Sequence, residues 1–559
     1  MKTQQNNNIK QLFYVVFGII VLNVIGSFEY QRFDMTHDKR YTLQEATKDL
    51  LRQVNTPLEF TVLLQGEDFP SEFRRLQQET KQLLEEFRGI NSNIRFVLED
   101  PLEGEADINQ TMLELDEMGL TPTNIPITKQ GNQSIVRIFP WAIGYDEANQ
   151  RSVRVPLLIN NLGVSASENI QKSVEQLEYA FADAIAKLTI KEKKSIAVLK
   201  GNGQIDDKYM ADFITSLKPY YEFGEFDLKE LQNDNNQVIK NLDRFDLTII
   251  AKPTKPFSER ERYILDQYIM KGKKTMWLID QVKFDLDSLA NPAQRGVALV
   301  EEDLNLDDML FRYGVRINYN LIQDYISVPI TMKDQNGQDL PLDWWYSVMI
   351  PSKDNHLINK NVNVIKHEFA NSIDTLANEI QKTILLESSD MSRTVGVPLQ
   401  IELFQFQGEA PFAGKPSITG VLLEGNFTSA YKNRVKPFDY PNPKDDGVNS
   451  KMIVISDGDI VNYMYANKKF LPNGYDLWTE QIYGNKDFLM NAAHFLLDDS
   501  GIISIRAREV KLAFFDKEKI RAKYLQSQII TVGLPIVFLT VFGVMFNYLR
   551  RRKYAKKLS

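Results

Sequence analysis

With 559 residues, 43% of them hydrophobic and 25% charged, the chain exceeds what one compact core usually holds, and its composition excludes a disordered polypeptide. Eight of its 66 basic residues lie before Phe28 or after Leu549, leaving 58 basic against 74 acidic residues between them, and a surface that acidic disfavours nucleic acid or anionic lipid as the main partner. Cysteine is absent, which excludes disulfides, thiolate metal sites, cysteine nucleophiles and a lipidated cysteine anchor.

No residue from Gln11 to Phe28 is charged. A hydrocarbon core of ~30 Å needs about 17 to 25 apolar helical residues, so this run predicts a membrane span over 11–28 behind a short N-terminus, 1–10. A cleaved signal peptide is the alternative, because Lys2 and Lys10 precede the run and Gly26 and Ser27 follow its apolar core. A buried core helix would show a polar face, and none is visible. The charged stretch Asp34 to Leu43 is then a connector.

A first exported domain is expected over 29–190. Leu58 to Leu64 reads as a strand. Ser71 opens a helix whose Phe73, Leu76, Leu83, Leu84 and Phe87 recur at helical spacing. Ile94 to Leu98 predicts a strand and Thr111 to Met118 a short helix. Ile135 to Ile143 and Val153 to Ile159 predict a hairpin, and from Ser167 the stripe Ile170, Val174, Leu177, Phe181, Ile185 and Leu188 predicts an amphipathic helix. The order βαβαββα matches a thioredoxin-like topology, in which the missing cysteines exclude redox chemistry.

The charged linker Lys191 to Lys194 opens a second exported domain, 191–515. Ser195 to Lys200, Glu222 to Phe226, Leu247 to Ala251 and Thr275 to Ile279 read as strands. Asp206 to Leu217 and the segment capped by Ser258 and Glu261 read as helices, the latter ending at Gly272. This alternation predicts a parallel sheet covered on both faces. Between Asp280 and Asn449 the pattern loosens into β segments, including Ile384 to Leu386 and Ile418 to Leu423. Met452 to Ile455 restores a buried strand, Lys486 to Leu497 predicts a helix, and Ile502 to Ile505 a last strand.

Tyr524 to Leu549 carries no charge and predicts a second span, within a juxtamembrane and membrane helix over 516–549 that starts at Asp516. At ~1.5 Å per residue that helix would project about 20 Å beyond a ~30 Å core, with Gly533 and Pro535 as a kink inside the membrane part. The basic tail 550–559, with Arg550, Arg551, Arg552, Lys553, Lys556 and Lys557, places that end in the cytoplasm. Two spans then place both termini in the cytoplasm and residues 29–528 in the periplasm, on an inner membrane.

The chemical motifs are sparse. Gly201-Asn202-Gly203-Gln204 follows a buried strand, where α/β sheets place ligands, but lacks the third glycine of a dinucleotide fingerprint and the lysine of a phosphate loop. Gly201 and Gly203 are therefore candidate ligand contacts, with a tight turn as the blander reading. Asp457 and Asp459 follow another buried strand and can face a hard cation, with an Asp-Gly-Asp turn as the alternative. Gly272-Lys273-Lys274-Thr275 precedes a strand rather than opening a helix, so no ATPase site is expected. His37, His356, His367 and His494 show no metal-ligand spacing. Trp344, Trp345 and Tyr346 read as a sugar or partner face or as packing. No catalytic residue, metal site or cofactor is predicted.

Arg40-Tyr41-Thr42-Leu43, Phe73-Arg74-Arg75-Leu76, Leu83-Leu84-Glu85-Glu86-Phe87 and Glu99-Asp100-Pro101 resemble the GldG family of gliding-motility-associated ABC transporter accessory proteins of Bacteroidota. Trp277-Leu278-Ile279-Asp280, Ser372-Ile373-Asp374-Thr375-Leu376, Ile455-Ser456-Asp457-Gly458-Asp459 and Gly484-Asn485-Lys486-Asp487-Phe488 extend the resemblance along most of the chain. It implies a non-catalytic accessory subunit working with a GldF-like membrane permease and a GldA-like cytoplasmic ATPase. It also implies a second domain similar to class I glutamine amidotransferases (flavodoxin-like) with β insertions, and to a domain of an intraflagellar-transport protein. Without cysteine, amidotransferase chemistry is unavailable. Two roles follow: presenting a solute, polymer or protein of the periplasm to the transporter, or conveying ATP-driven motion to envelope partners as a scaffold.

Overall fold

The computed structural model describes residues 42–506, apart from 67–68, 105–106, 130–131, 160–164, 231–233, 285–295, 301, 334–336, 354–355, 403–411, 413, 464, 467–468 and 498–500, together with 14, 16–18, 526 and 528–555. Most of the first apolar run, the connector at 34–41, the start of the 516–549 helix and the last residues of the basic tail thus lie outside the described residues. By its internal contacts the chain forms two units, Leu43–Arg508 and the pair of chain ends Met1–Thr42 and Glu509–Ser559.

The Leu43–Arg508 unit holds two lobes. The first contains α1 (Glu45–Arg52), β1 (Leu58–Val62), α2 (Ser71–Ile90), β2 (Ile94–Leu98), α3 (Ile108–Glu117), β3 (Thr123–Lys129), β4 (Asn132–Ile138), β5 (Trp141–Asp146), β6 (Arg151–Pro156) and α4 (Ala166–Thr189). Its sheet order is β2-β1-β5-β6, with β1 parallel to β2 and antiparallel to β5, and β5 antiparallel to β6. The expected βαβαββα order is present with two differences. Ile135 belongs to a separate β3–β4 hairpin, because its partner is Pro126 rather than a residue of β6. The polar-looking segment after Leu43 forms α1, whose buried Thr47 and Leu51 face the core while its charges face water. That core stacks Phe60 edge-on against Phe181 of α4 at 5.4 Å.

The second lobe runs β7 (Ser195–Lys200), α5 (Ala211–Leu217), β8 (Glu222–Asp227), α6 (Asn235–Leu242), β9 (Leu247–Ala251), α7 (Glu259–Met270), β10 (Lys274–Leu278), α8 (Asp307–Tyr313) and β11 (Val315–Ile317). It continues with β12 (Ser347–Ile350), β13 (Ile365–Glu368), β14 (Ile373–Thr375), β15 (Gln381–Glu387), β16 (Ile418–Thr428), β17 (Asp446–Ile455), β18 (Tyr475–Asp476), β19 (Gln481–Ile482), α9 (Asn485–Leu497) and α10 (Ile502–Arg506). Its large sheet has the order β11-β14-β16-β17-β10-β9-β7-β8, with β15 also pairing β16. From β17 to β8 every neighbour is parallel; β11, β14, β15 and β16 add an antiparallel extension.

Residues alternate between the two faces with the strand period of two. Ile249, Met276, Leu278, Ile453 and Ile455 join Phe213 of α5 and Phe488 of α9 in one core; Ile250, Trp277, Met452 and Val454 join Tyr263 and Tyr268 of α7 in the other. All five residues of β9 are buried, as expected where helices cover both faces of a parallel sheet. Ser258 and Glu261 form the expected capping box of α7. Trp344, Trp345 and Tyr346 are all buried, with Trp344 and Tyr346 packed against Phe369, so they present no open face.

The strand expected at Ile502 to Ile505 is instead α10. A short apolar run does not distinguish strand from helix. Here Gly501, at φ +76°, turns the chain, and the next turn buries Ile503 and Ile505 where it meets α1 and α4. In the other unit, Ile529–Gly533 forms a π-helical turn followed by α11 (Leu534–Ala555). Pro535 has no N–H to close an α-helical bond, which accounts for the irregular turn just before it. Ile529–Arg552 is long and apolar enough to cross a membrane, has mean hydropathy 2.5, and buries none of its most apolar window.

Candidate functional site

The order β8-β7-β9-β10-β17 reverses direction between β7 and β9, and in such sheets ligands usually sit beyond the strand C-termini near that reversal. Gly201 and Gly203 lie at the end of β7, whereas Asp457 and Asp459 follow β17. The structure places all four along one sheet edge but keeps the two pairs apart by β9 and β10.

The glycine loop is tightly packed. Gly201 and Gly203 have φ of +99° and +70°, and a Cβ on either would lie 2.2 Å from Asp227 Oδ1 or Thr254 Oγ1 respectively. The Asn202 carbonyl accepts from the Thr254 and Lys255 amides at 3.0 and 2.9 Å, and the Asn202 amide group donates to the Pro256 carbonyl at 3.0 Å. The 252–256 segment after β9 thus occupies the space in front of the loop.

The same segment leads to the aspartates. Lys252, in the left-handed region at φ +47°, places Nζ 2.5 Å from both Asp459 carboxylate oxygens and 3.6 Å from Asp280 Oδ2. Asp280, beyond β10, accepts from the Gly458 amide at 2.6 Å. Glycine is needed at 458, since a Cβ there would come within 2.8 Å of the Lys252 side chain. Asp457 is fully buried and accepts from the Glu368 and Asp459 amides at 3.1 and 2.8 Å; its Oδ2 is 2.7 Å from His367 Nδ1. From β13, Lys366 Nζ extends the network to Asp476 at 2.6 Å and Glu368 at 2.5 Å.

Burial dominates the electrostatics. It pushes the Asp280 carboxyl up to about 7; Lys252 opposes that shift, while Asp459 and Asp457 add to it. Asp459 is likewise raised, by burial first, against the pull of Lys252. Burial alone would lower the Lys252 ammonium, but Asp280, Asp459 and Asp457 outweigh it and hold it above the ordinary lysine range.

Chemically, the cluster ties together the loops after β9, β10 and β17. If His367 donates its Nδ1 proton to Asp457, Nε2 carries the lone pair, and that nitrogen is buried with no hydrogen-bond partner among the described residues. The arrangement resembles the base half of a hydrolytic dyad, yet no hydroxyl among the described residues bonds to Nε2. No group of three or more potential metal ligands occurs among the described residues.

Lys252, Asp280 and His367 were not singled out from the sequence. The first two had a signal there: Lys252, Asp280 and Asp457 each stand one or two residues beyond a buried strand. His367 had none, because its Asp457 partner is 90 positions away. Of the other histidines, His494 Nδ1 lies 2.9 Å from the Tyr221 hydroxyl, His356 packs on Phe495 at 4.6 Å, and His37 lies outside the described residues.

The sequence profile of a family described as an ABC-type uncharacterized transport system matches residues 193–492, and that of a domain of unknown function matches residues 37–145. No curated protein matches the chain. Among solved structures the chain is similar to the mmIFT52 N-terminal domain, with TM-score 0.32 and 11% identity, over 54% of this chain and 97% of that one.

Proposed function

The chain belongs to the ABC-type uncharacterized transport system family, an assignment that fits an accessory subunit of an ABC transporter, and on that premise we propose that it is a non-catalytic, membrane-held subunit of GldG type. Its Leu43–Arg508 body faces the periplasm, and its partners are a GldF-like permease and a GldA-like ATPase in a gliding or secretion machine of Bacteroidota. The carrying observation is where the ends of the body lie. Gln44 Nε2 donates to the Ile505 carbonyl at 3.2 Å, and α10 packs against both α1 and α4. The body therefore begins and ends at one place, as a tether of two membrane helices requires. The apolar segment Ile529–Arg552 supplies one of them; the run Gln11–Phe28 is the proposed other.

The strand orders support reading the first lobe as thioredoxin-like and the parallel part of the second as amidotransferase-like, here without the cysteine that such chemistry uses. The mechanical role is favoured over solute presentation at the sheet edge, because the carboxylates and lysine there bond to one another. Reporter fusions test the topology: Met1 and Ser559 should report cytoplasm and Asn233 periplasm. A mature chain beginning near Ser27 would contradict the first span. The isolated body should hydrolyse neither ATP nor glutamine; turnover lost on substitution of Asp457 or Asp459 would contradict the non-catalytic reading.

A further inference from the structure

From Met118 to Tyr145 the sequence has no Asp or Glu, in a chain whose acidic residues outnumber its basic ones by 74 to 66. This stretch holds the β3–β4 hairpin, whose strands pair only with each other among the described residues. A two-stranded ribbon is marginally stable in water by itself. Ile125 and Val136, a cross-strand pair, lean on the core of the first lobe, and Ile138 is buried in it. The opposite face, with Asn124, Pro126, Ile135 and Arg137, is exposed, Ile135 by 69%.

The two edges of the hairpin differ. Pro126 has no N–H, so its pairing with Ile135 is a non-hydrogen-bonded one, and the main-chain groups of both residues point away from the hairpin. On the β3 side proline thus removes a donor and guards the edge. On the β4 side the same alternation aims the N–H and C=O of Gln133, Ile135 and Arg137 outward. Ile135 and Arg137 make no backbone hydrogen bond outside the hairpin among the described residues. β4 has no proline and a single charge, Arg137. By contrast β8, at the end of the large sheet, carries Glu222, Glu225 and Asp227.

We propose that β4 pairs antiparallel with β4 of a second copy of this chain, about a two-fold axis at Ile135. The sequence of the strand is complementary to itself in that register. Ile135 faces the second copy's Ile135, Gln133 faces Arg137 and Ser134 faces Val136, so no like charges are opposed. The groups that β4 aims outward are those that this register uses, because Gln133 with Arg137 and Ile135 with Ile135 become the hydrogen-bonded pairs. Pro126 and Ile135 of each copy then form one apolar row across a four-stranded sheet. An acidic strand of another protein would meet one positive side chain on this edge, whereas two copies meet where neither brings a carboxylate, which spares two acidic chains their repulsion. The inference rests on the first lobe and is independent of the transporter reading.

The full chain in mild detergent tests it, since the absence of native cysteine lets one introduced thiol report one contact. Two-fold pairing at residue 135 brings the Cα atoms to about 5.5 Å, within disulfide reach, whereas the two copies of residue 137 stand roughly 13 Å apart along the strands. Under mild oxidation Ile135→Cys should therefore form a linked dimer and Arg137→Cys should not, and adding Gln133→Cys to Arg137→Cys should restore the link. Sedimentation of the reduced, cysteine-free protein should show a concentration-dependent dimer whose Kd rises about tenfold in Ile135→Lys, where two ammonium groups oppose each other on the axis. Ile135 is exposed, so Ile135→Lys should unfold at the wild-type temperature, which separates lost pairing from lost folding. A chain that sediments as a monomer at every concentration, equal cross-linking at 135 and 137, or a dimer unchanged in Ile135→Lys would each overturn the proposal.

Discussion

At Asp280 the cost of burial meets the attraction of Lys252, and burial dominates. A carboxyl whose folded pKa is raised binds its proton more tightly folded than unfolded, so the stability it contributes is fully present below its ordinary pKa and is lost as pH rises through about 7. Asp280→Asn should therefore flatten the stability profile between about pH 4 and 7, where the wild type should lose roughly 2–4 kcal/mol from this group. Lys252, Asp457 and Asp459 are the charges facing it, and Lys252 stays an ammonium throughout. Denaturant titrations at several pH values give the two slopes, and identical slopes would refute the assignment. A second buried carboxylate, Asp266, accepts from the Tyr313 and Ser429 hydroxyls at 2.8 and 2.7 Å and from the Ala430 amide at 2.8 Å. Asp266→Ala leaves these donors unpaired and should destabilise the body by about 3 kcal/mol or more; a loss below about 1 kcal/mol would show that water replaces the carboxylate.

Among the elements, those with a strong period were legible in the sequence. The stripe from Ile170 to Leu188 became α4, the Ser258–Glu261 box capped α7, and the all-apolar runs became the central parallel strands. Short segments were not. α1 lies just past the charged connector and went unread because only Thr47 and Leu51 in it are buried, and α10 reads as strand because a few apolar residues carry no period. The sheet-edge cluster was half legible for a related reason. A strand shows locally where it ends in a charge, but only the fold shows that Lys252, Asp280 and Asp459 converge. For Ile529–Arg552, Val541→Arg at mid-segment should cost about 2.5–3.5 kcal/mol of membrane insertion. A glycosylation-site insertion reporter reads this, and unchanged insertion would mean that the segment does not cross the bilayer.

For the molecule as a whole, the meeting of the ends of the body is the most consequential feature. A Cβ on Gly501 would lie 3.5 Å from that of Ala46, within disulfide reach, and the chain has no native cysteine to compete. The double variant Ala46→Cys with Gly501→Cys should therefore cross-link under mild oxidation, despite a backbone cost of about 1–2 kcal/mol at the positive-φ position. Failure to cross-link in folded protein would separate the two ends and remove the basis for a two-helix tether. The transporter assignment itself is tested most directly by isolating the chain from its native membranes through an affinity tag, in mild detergent, and identifying what co-elutes. The account predicts a membrane permease and an ATP-binding-cassette ATPase in stoichiometric amounts; a chain that elutes alone, or with partners that include neither, would contradict it.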